Sequence, residues 1–588
     1  MRPQEALSTA GPARWQGRHT RELTPDSSNG ATRLLPHRPA LLGRPFLGII
    51  AAAALLLASG GAARAASYLA RCPSLAGEPT LSVDAKAPDA PGCKAVALPV
   101  DPSSVLAVVP APRRPADAPP PETIIVSGTQ GKAGYAIREI AIAPASLSAP
   151  PPYLVPGVDF RAVASMGVIG PLGRATLSED GDQTVLECTA GSERAGLSFA
   201  TTRVPPIPGM AIHVVHVAED TFRLVVASPG SPAGQEPRPL AKLRAADSAT
   251  EAHVPLPPDL AADTPLDFAV LCPPAGGRLA LSEISLEAKT SAPTDRAAWI
   301  HNDAAWENGA TQLFSYAQRW GLTQIAIHVP SSGGAVADPQ ALASFVTAAS
   351  AHGLAVWSLV SDGGGDADTS DIGAALADYN GAVPPEAQVK GVEVELRSTG
   401  LWSYVPDPEA VALGFIGRLE RLKPTLGVPL AAVVPAWFPT NAAVAERLAA
   451  TLDRMTVVTD RTDPIDIRRA VARFLAWGTR LNRRVNVALE AGPLSDGERG
   501  NFVRAETGEL WLVPVAGDPV LVLLKEPASD LPGVAFRQDD VAPVPAQSRS
   551  FIGRRAELRE TLAPLGRTLG AWPSFGGFAF DGLFAGHE

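Results

Sequence analysis

The amino-acid sequence predicts a multidomain fold, in which an N-terminal all-β sandwich is followed by an α/β TIM (β/α)8 barrel. The chain has 588 residues, which is long for a single domain. Between residues 123 and 292, short strand-like runs are separated by Gly, Pro and Asp turns without a helical period, which is typical of a sandwich. Between residues 293 and 588, strand-like and helix-like segments alternate, which is typical of a barrel.

Composition, net charge and the lack of known motifs limit the kinds of molecule that the protein is expected to bind. Hydrophobic residues make up 46% of the chain and charged residues 19%, so sizeable cores are expected and a wholly disordered chain is excluded. The net charge is −10, and no block of Lys and Arg is interleaved with aromatic residues, so no nucleic-acid partner is expected. The sequence contains no P-loop, H-E-x-x-H, G-x-S-x-G or C-x-x-C motif. We therefore expect no cofactor and no metal site.

Residues 1–65 have the pattern of a signal peptide or signal anchor. A basic region with seven Arg in residues 1–45 precedes an apolar run of 13 residues, 46–58, and a small-x-small pattern ends at Ala65. Because a membrane-spanning helix needs about 20 apolar residues, cleavage is the first expectation and an uncleaved anchor the second. The sequence thus predicts an exported protein, periplasmic or secreted, that contacts a membrane only through this segment if it is uncleaved.

Residues 66–122 are predicted to be a Pro-rich linker region. They contain two of the four cysteines, Cys72 and Cys93, whereas Cys188 and Cys272 lie in strand-like runs further on. An even number of cysteines in an exported chain indicates two disulfides, with four buried thiols as the alternative.

Residues 123–292 form the predicted β-sandwich. Carbohydrate binding and a plain spacer role are both open for it, since fold does not determine function. Its clearest strand-like runs are 123–127, 183–188, 211–217, 222–227 and 266–272.

Residues 293–588 form the predicted (β/α)8 glycoside-hydrolase-like barrel. Its eight strand-like runs are 297–301, 323–330, 354–361, 391–397, 430–437, 455–460, 485–490 and 575–581. The amphipathic helices between them are 310–320, 338–352, 371–380, 407–422, 441–452, 464–481 and 553–569. Several should begin at a capping residue, namely Asp338, Asp371, Asp407 and Asn441. The last gap also holds an extra hairpin, 509–515 and 520–524.

Acidic residues end several of these strands, where such a barrel carries its active site. In the fourth strand, alternation places Glu393, Glu395 and Arg397 on the face towards the barrel axis. Inward carboxylates are also expected at the last positions of the sixth, seventh and eighth strands, which are Asp460, Glu490 and Asp581. Burying so many carboxylates is costly unless they meet substrate, Arg or water.

Paired carboxylates beside aromatic rings favour glycosidic chemistry, in which one acid protonates the leaving oxygen and the other attacks carbon or activates water. Four aromatic residues near the strand ends could stack on sugar rings, and they are Trp437, Trp299, Trp402 and Tyr404. Purely structural roles remain open, namely a buried Glu393–Arg397 ion pair and solvated rim positions for Glu490 and Asp581. His301 and His328 are expected to be structural.

The sequence of the predicted barrel resembles a glycoside-hydrolase-like (β/α)8 group of bacterial exported proteins, distantly similar to chitinase-type barrels. In that group the fourth strand reads roughly G-I-x-L-D-V-E-P-Y, the fifth ends V-P-x-W, the seventh reads V-x-V-E-T and the eighth G-x-A-I-H-H. The corresponding segments of this sequence are residues 391–397, 434–437, 487–490 and 577–581. This resemblance implies a carbohydrate-active protein that binds a polysaccharide or oligosaccharide.

Two positions depart from that pattern. Arg397 stands where the motif has the Glu that is the proton donor in chitinase-type barrels, and Asp581 replaces a His. The first hypothesis is a glycoside hydrolase in which Glu395 and Glu490 act as acid/base and nucleophile, tuned by Asp460 and Asp581. The second is a non-catalytic glycan-binding protein, a degenerate hydrolase barrel that assists assembly or export of a surface polysaccharide. Whether the chain is an enzyme is therefore left open by the sequence.

Overall fold

Strands dominate the structure, a computed structural model in which strands account for 44% of the residues and helices for 24%. The structure describes residues 67–73, 80–112, 121–131, 134–143, 151–231, 236–260, 263–291, 295–301, 310–361, 366–396, 405 and 407–584. In the described part of the chain, none of the helices combines the length and apolar character that a membrane crossing requires.

The first strands fall into two different sheets. β1 (Ser67–Cys72), β2 (Thr80–Asp84) and β3 (Lys94–Leu98) form a small antiparallel sheet in the order β2-β1-β3. The Cys72–Cys93 disulfide closes this sheet at one end. The next three strands, which pair elsewhere, are β4 (Val105–Pro110), β5 (Thr123–Gly131) and β6 (Gly134–Ala143).

Residues 151–291 form a two-sheet unit with one shared core. After the short helix α1 (Phe160–Val163), its strands are β7 (Met166–Ile169), β8 (Ala175–Asp180), β9 (Gln183–Cys188), β10 (Gly196–Phe199), β11 (Thr202–Arg203), β12 (Ala211–Ala218), β13 (Phe222–Ala227), β14 (Arg238–Leu243), β15 (Ala246–Pro255), β16 (Pro265–Leu271) and β17 (Gly277–Glu287). One sheet has the order β14-β13-β16-β10-β7, with β11 beside β16, and the other β15-β12-β17-β9-β8. The Cys188–Cys272 disulfide joins them. Two disulfides are thus confirmed, with the pairing that the sequence left open.

Eight parallel strands then close into a barrel. The elements from its first to its seventh strand are β18 (Asp295–Ile300), α2 (Ala310–Trp320), β19 (Gln324–Ile327), the hairpin β20 (Ser331–Ser332) and β21 (Ala335–Val336), α3 (Pro339–Ala351), β22 (Ala355–Ser361), α4 (Asp366–Ala382), β23 (Val392–Glu395), α5 (Pro408–Leu422), β24 (Leu430–Pro435), α6 (Ala442–Thr451), β25 (Arg454–Thr459), α7 (Pro464–Leu481) and β26 (Arg484–Glu490). After four antiparallel strands, β27 (Gly497–Ala505), β28 (Gly508–Val515), β29 (Asp518–Ala528) and β30 (Val534–Val544), the chain returns through α8 (Arg555–Leu569) to the eighth barrel strand, β31 (Phe575–Asp581).

Local sequence explains where most of these helices begin. The side chains of Asp338, Asp407 and Asn441 each accept a hydrogen bond from the backbone N–H three residues further on, so the predicted caps are confirmed. The predicted start at Asp371 is wrong, because α4 begins five residues earlier, at Asp366.

A seven-stranded antiparallel sheet connects distant parts of the chain. Its order is β4-β29-β28-β30-β27-β5-β6, so that Thr123 on β5 is the register partner of Val503 on β27. One of its faces packs on the small N-terminal sheet through Leu69 and Leu98, which are fully buried against Trp511 and its neighbours. The hairpin predicted in the last gap belongs to this sheet.

The predicted fold class, a sandwich followed by a TIM (β/α)8 barrel, is therefore wrong. In that class, strands and helices alternate over the larger part of the chain. Here nearly twice as many residues lie in strands as in helices. A closed parallel barrel exists, but the described residues also form several antiparallel sheets, the largest of which contains strands from residues 105–143 and 497–544. A local pattern shows that a segment is a strand but does not show which distant strand pairs with it.

Candidate functional site

The interior of the barrel is filled and holds an ion network. Small or apolar side chains from seven of the eight strands form a core of their own around Trp299 and Trp357. Among them lies Glu393, 1% exposed, whose Oε2 accepts a hydrogen bond of 3.0 Å from Trp299 Nε1 and whose Oε1 accepts one of 2.7 Å from Thr456. A substrate could reach Glu393 or Trp299 only if this network opened.

Arg454 supplies the positive charge beside Glu393. Its Nη2 lies 3.7 Å from Glu393 Oε1, its Nη1 donates to Gln324 Oε1 at 2.8 Å, and its guanidinium carbon lies 4.1 Å from the centre of the Trp357 ring. The side chain of Arg454 is only 9% exposed. Arg454 is therefore an ion-pair partner of Glu393. Arg397, for which the sequence left such a pair open as an alternative, lies outside the described residues, as do Trp402 and Tyr404.

Glu490 and Asp581 meet at the carboxyl ends of two neighbouring barrel strands. They are register partners on β26 and β31, and Asp581 Oδ1 lies 2.9 Å from His301 Nε2 at the end of β18. Glu490 is 5% exposed, whereas the side chain of Asp581 is 17% exposed. Three adjacent strands thus bring together an acid, a second acid and a histidine.

Two glycines hold Glu490 in place. The N–H of Gly492 donates a hydrogen bond of 2.6 Å to Glu490 Oε1. A Cβ on Gly582 would lie 2.3 Å from the Gly492 Cα, and Gly582 has a φ of +63°, so a larger residue would be both crowded and strained there. In the sequence, a glycine follows shortly after each of the two acids, at positions 492 and 582. The sequence analysis did not use these glycines to predict the contact.

The environment of Glu490 favours its protonated form. Burial and, after it, the charge of the neighbouring Asp581 raise the pKa of Glu490 from 4.5 to about 8. The Gly492 N–H and the nearby His301 act in the opposite direction. At neutral pH this carboxyl can therefore donate a proton.

Stability should fall with rising pH because of Glu490. A carboxyl with a raised pKa in the folded state binds its proton more tightly there, so its contribution is fully present below about pH 4.5 and is lost as the pH rises through about 8. Glu490→Gln stays neutral and should show a flatter pH dependence of the free energy of unfolding, measured by urea unfolding between about pH 5 and 9. The exposed Glu560→Gln is the matched control, and equal slopes for wild type and Glu490→Gln would contradict this prediction.

Asp460 lies under the seven-stranded sheet at the next strand end. Burial raises the pKa of Asp460, against the opposing effect of Arg461, whose Nη1 lies 3.1 Å from the carboxylate. Arg138 and Glu139 on β6 also act on this carboxyl, so β6 reaches the mouth of the barrel. The role of Arg138 was missed because nothing in the sequence places β6 there.

Glu395 and Trp437 occupy other parts of the same barrel end. Glu395 is 2% exposed at the last position of β23, the strand diametrically opposite β31 in the closed barrel. The half-buried Trp437 follows β24, and its indole Nε1 is buried without a hydrogen-bond partner. The structure therefore brings Glu490 and Asp581 together and leaves Glu395 on the far side.

Comparisons with known proteins give weak matches. No family model matches the chain, and neither does any curated protein. Among solved structures, the chain is similar to a mutant of a family 29 carbohydrate-binding module, with 16% identity, coverage of 21% of this chain and 85% of that one, and a TM-score of 0.16. It is also similar to a Clostridium thermocellum endo-1,4-beta-D-xylanase 10B with family 22 binding and family 10 hydrolase modules, with 10% identity, coverage of 58% and 82%, and a TM-score of 0.23.

These neighbours are carbohydrate-binding or carbohydrate-cleaving proteins by their names, but superpositions this poor carry no argument about this chain. The resemblance to chitinase-type barrels stays a prediction. The case for a function has to come from the side chains at the barrel end.

Proposed function

We propose that the barrel end formed by β18, β26 and β31 hydrolyses a glycosidic bond in a polysaccharide or oligosaccharide. Glu490 would be the general acid that protonates the leaving oxygen. Asp581 would be the carboxylate that attacks the sugar or activates water, and His301 would orient it. Compared with the sequence hypothesis, Asp581 takes the place of Glu395 as the partner of Glu490.

One observation carries this proposal, namely that Glu490 is buried at a strand end directly beside a second carboxyl, an arrangement that raises its pKa. Glycoside hydrolysis needs one carboxyl with a raised pKa and one that stays ionised. Burial and the Asp581 charge provide the first. Asp581, whose Oδ1 lies 2.9 Å from His301 Nε2, is the candidate for the second.

The test is release of reducing ends from a panel of bacterial and plant polysaccharides. We expect Glu490→Gln and Asp581→Asn each to lower the rate by about 10²- to 10⁴-fold, because general acid–base catalysis contributes on that scale. Glu560→Gln is the control for loss of an exposed carboxyl. Release that survives in Glu490→Gln, with the fold intact by circular dichroism, would refute the assignment of the acid.

The pH dependence of kcat/KM in the same assay is a second test of Glu490 as the general acid. Activity should fall above about pH 8, as Glu490 loses the proton that it must donate. A rate that keeps rising above this pH would exclude Glu490 as the acid.

Glycan binding without cleavage is the alternative, and Trp437 favours it. Its half-buried ring follows the end of β24, where the exposed part of the ring could stack on a sugar whether or not the carboxyls react. No release from any polysaccharide, together with binding that Trp437→Ala abolishes and Glu490→Gln leaves intact, would support this function.

An exported location, periplasmic or secreted, fits both functions. The two disulfides support this location, because such bonds persist in oxidising compartments.

A further inference from the structure

The outward face of the β15-β12-β17-β9-β8 sheet carries two histidines on neighbouring strands. His213 on β12 is the register partner of His253 on β15. Along β12 the burial alternates, so that Ile212 and Val214 lie in the core and His213 lies on the other face. Glu287, at the end of β17, points to the same face and reaches both imidazoles.

The ligand atoms of these three residues are close together. One such atom from each of His213, His253 and Glu287 lies within 4.8 Å of the other two. His253 Nδ1 is 2.9 Å from Glu287 Oε2, and His213 Nδ1 is 3.9 Å from Glu287 Oε1. The two imidazole rings stack with their centres 4.8 Å apart.

The charges around this cluster favour a cation. Glu251 and Glu283 add two more carboxylates, at 3.8 Å and 3.7 Å from the ring nitrogens of His213. His213 Nε2 is also buried and has no hydrogen-bond partner. The face therefore combines three carboxylates with two imidazoles that can supply nitrogen ligands.

We propose that His213, His253 and Glu287 bind a divalent transition-metal ion of the Zn²⁺ class. Two imidazoles and one carboxylate are a donor set that Zn²⁺ uses, with a fourth position left to water or another oxygen ligand. Ligand atoms about 2.1 Å from a tetrahedral ion lie about 3.4 Å apart. Since the ligand atoms here lie within 4.8 Å of one another, the widest pair has to close by up to about 1.4 Å. His253 and Glu287, whose side chains are 54% and 47% exposed, are free enough to make that movement.

Such an ion would connect β15, β12 and β17 and would stabilise this edge of the sheet. It lies in the two-sheet unit and does not depend on the hydrolysis proposed for the barrel. A failure of one proposal therefore leaves the other standing.

The experiment is metal binding by the full chain without a polyhistidine tag, after treatment with a chelator and dialysis. Titration calorimetry with Zn²⁺ alone should give one site per chain, and Co²⁺ should give visible absorption bands of tetrahedral coordination. In His253→Ala and in Glu287→Gln we expect affinity to fall about tenfold or more, with the Co²⁺ bands lost. Zn²⁺ should also raise the thermal midpoint of wild type but not of His253→Ala.

The matched control is His352→Ala, which removes an exposed histidine on the barrel side of the molecule. It should bind Zn²⁺ like wild type. The proposal is overturned if wild type binds no Zn²⁺, if His253→Ala binds it unchanged, or if His352→Ala loses it to the same extent.

Discussion

Replacing Arg454 with Met is expected to lower the free energy of unfolding by about 3–5 kcal/mol, which is the cost of breaking a buried ion pair from one side. Glu393, which is 1% exposed, would keep its bonds to Trp299 and Thr456 but lose its counter-charge. Met keeps much of the length of Arg, so little of the loss should come from an empty space. Urea unfolding followed by tryptophan fluorescence measures the effect, since Trp299 and Trp357 both line this network.

Two further variants separate charge from packing. The double variant Arg454→Met/Glu393→Leu removes both charges and should recover much of the lost stability, because a hydrophobic replacement of a whole buried pair is often neutral. Arg461→Met, at an Arg whose side chain is 43% exposed, should cost less than about 1 kcal/mol. A double variant as unstable as the single one would show that the ion pair is not the cause.

Removing the Cys188–Cys272 disulfide is the second large effect that we expect. The bond closes a loop with a sequence separation of 84, for which the loss of chain entropy in the unfolded state amounts to about 4.5 kcal/mol. The variant Cys188→Ala/Cys272→Ala should therefore unfold at a much lower urea concentration than wild type. Because Cys272 is fully buried in the shared core, Ala is preferred to Ser at this position.

The other disulfide provides the matched comparison. Cys72 and Cys93 are separated by 21 positions, and the same relation gives about 3 kcal/mol for that smaller loop. The variant Cys72→Ala/Cys93→Ala should thus lose less stability. An equal or larger loss in this variant would contradict an explanation based on loop length.

The barrel strands and helices could be located from the sequence because their signals are local. Runs of apolar residues mark buried strands, and capping residues such as Asp338 and Asn441 mark helix starts. The seven-stranded sheet could not be predicted, because the pairing of Thr123 with Val503 leaves no trace in either segment. The same limit produced the wrong fold class.

At the barrel end, too, the residues that could be predicted were those with a local signal in the sequence. Glu490 and Asp581 could be proposed because each is the last residue of a strand and alternation gives its direction. Arg454 was missed because it stands one residue before the predicted start of its strand, and its partner Glu393 belongs to another strand. The cluster of His213, His253 and Glu287 was missed because three separate strands supply it, so no spacing motif exists.

The pairing of β5 with β27 also sets the order of events while the chain is being made. Thr123 leaves the ribosome long before its partner Val503 exists, by about 20 to 75 s at synthesis rates of roughly 5–20 residues per second. During that interval β4, β5 and β6 present open strand edges, which are templates for pairing with other chains. The yield of folded protein in a cell should therefore depend on how well these nascent edges are protected, more than on how stable the finished sheet is.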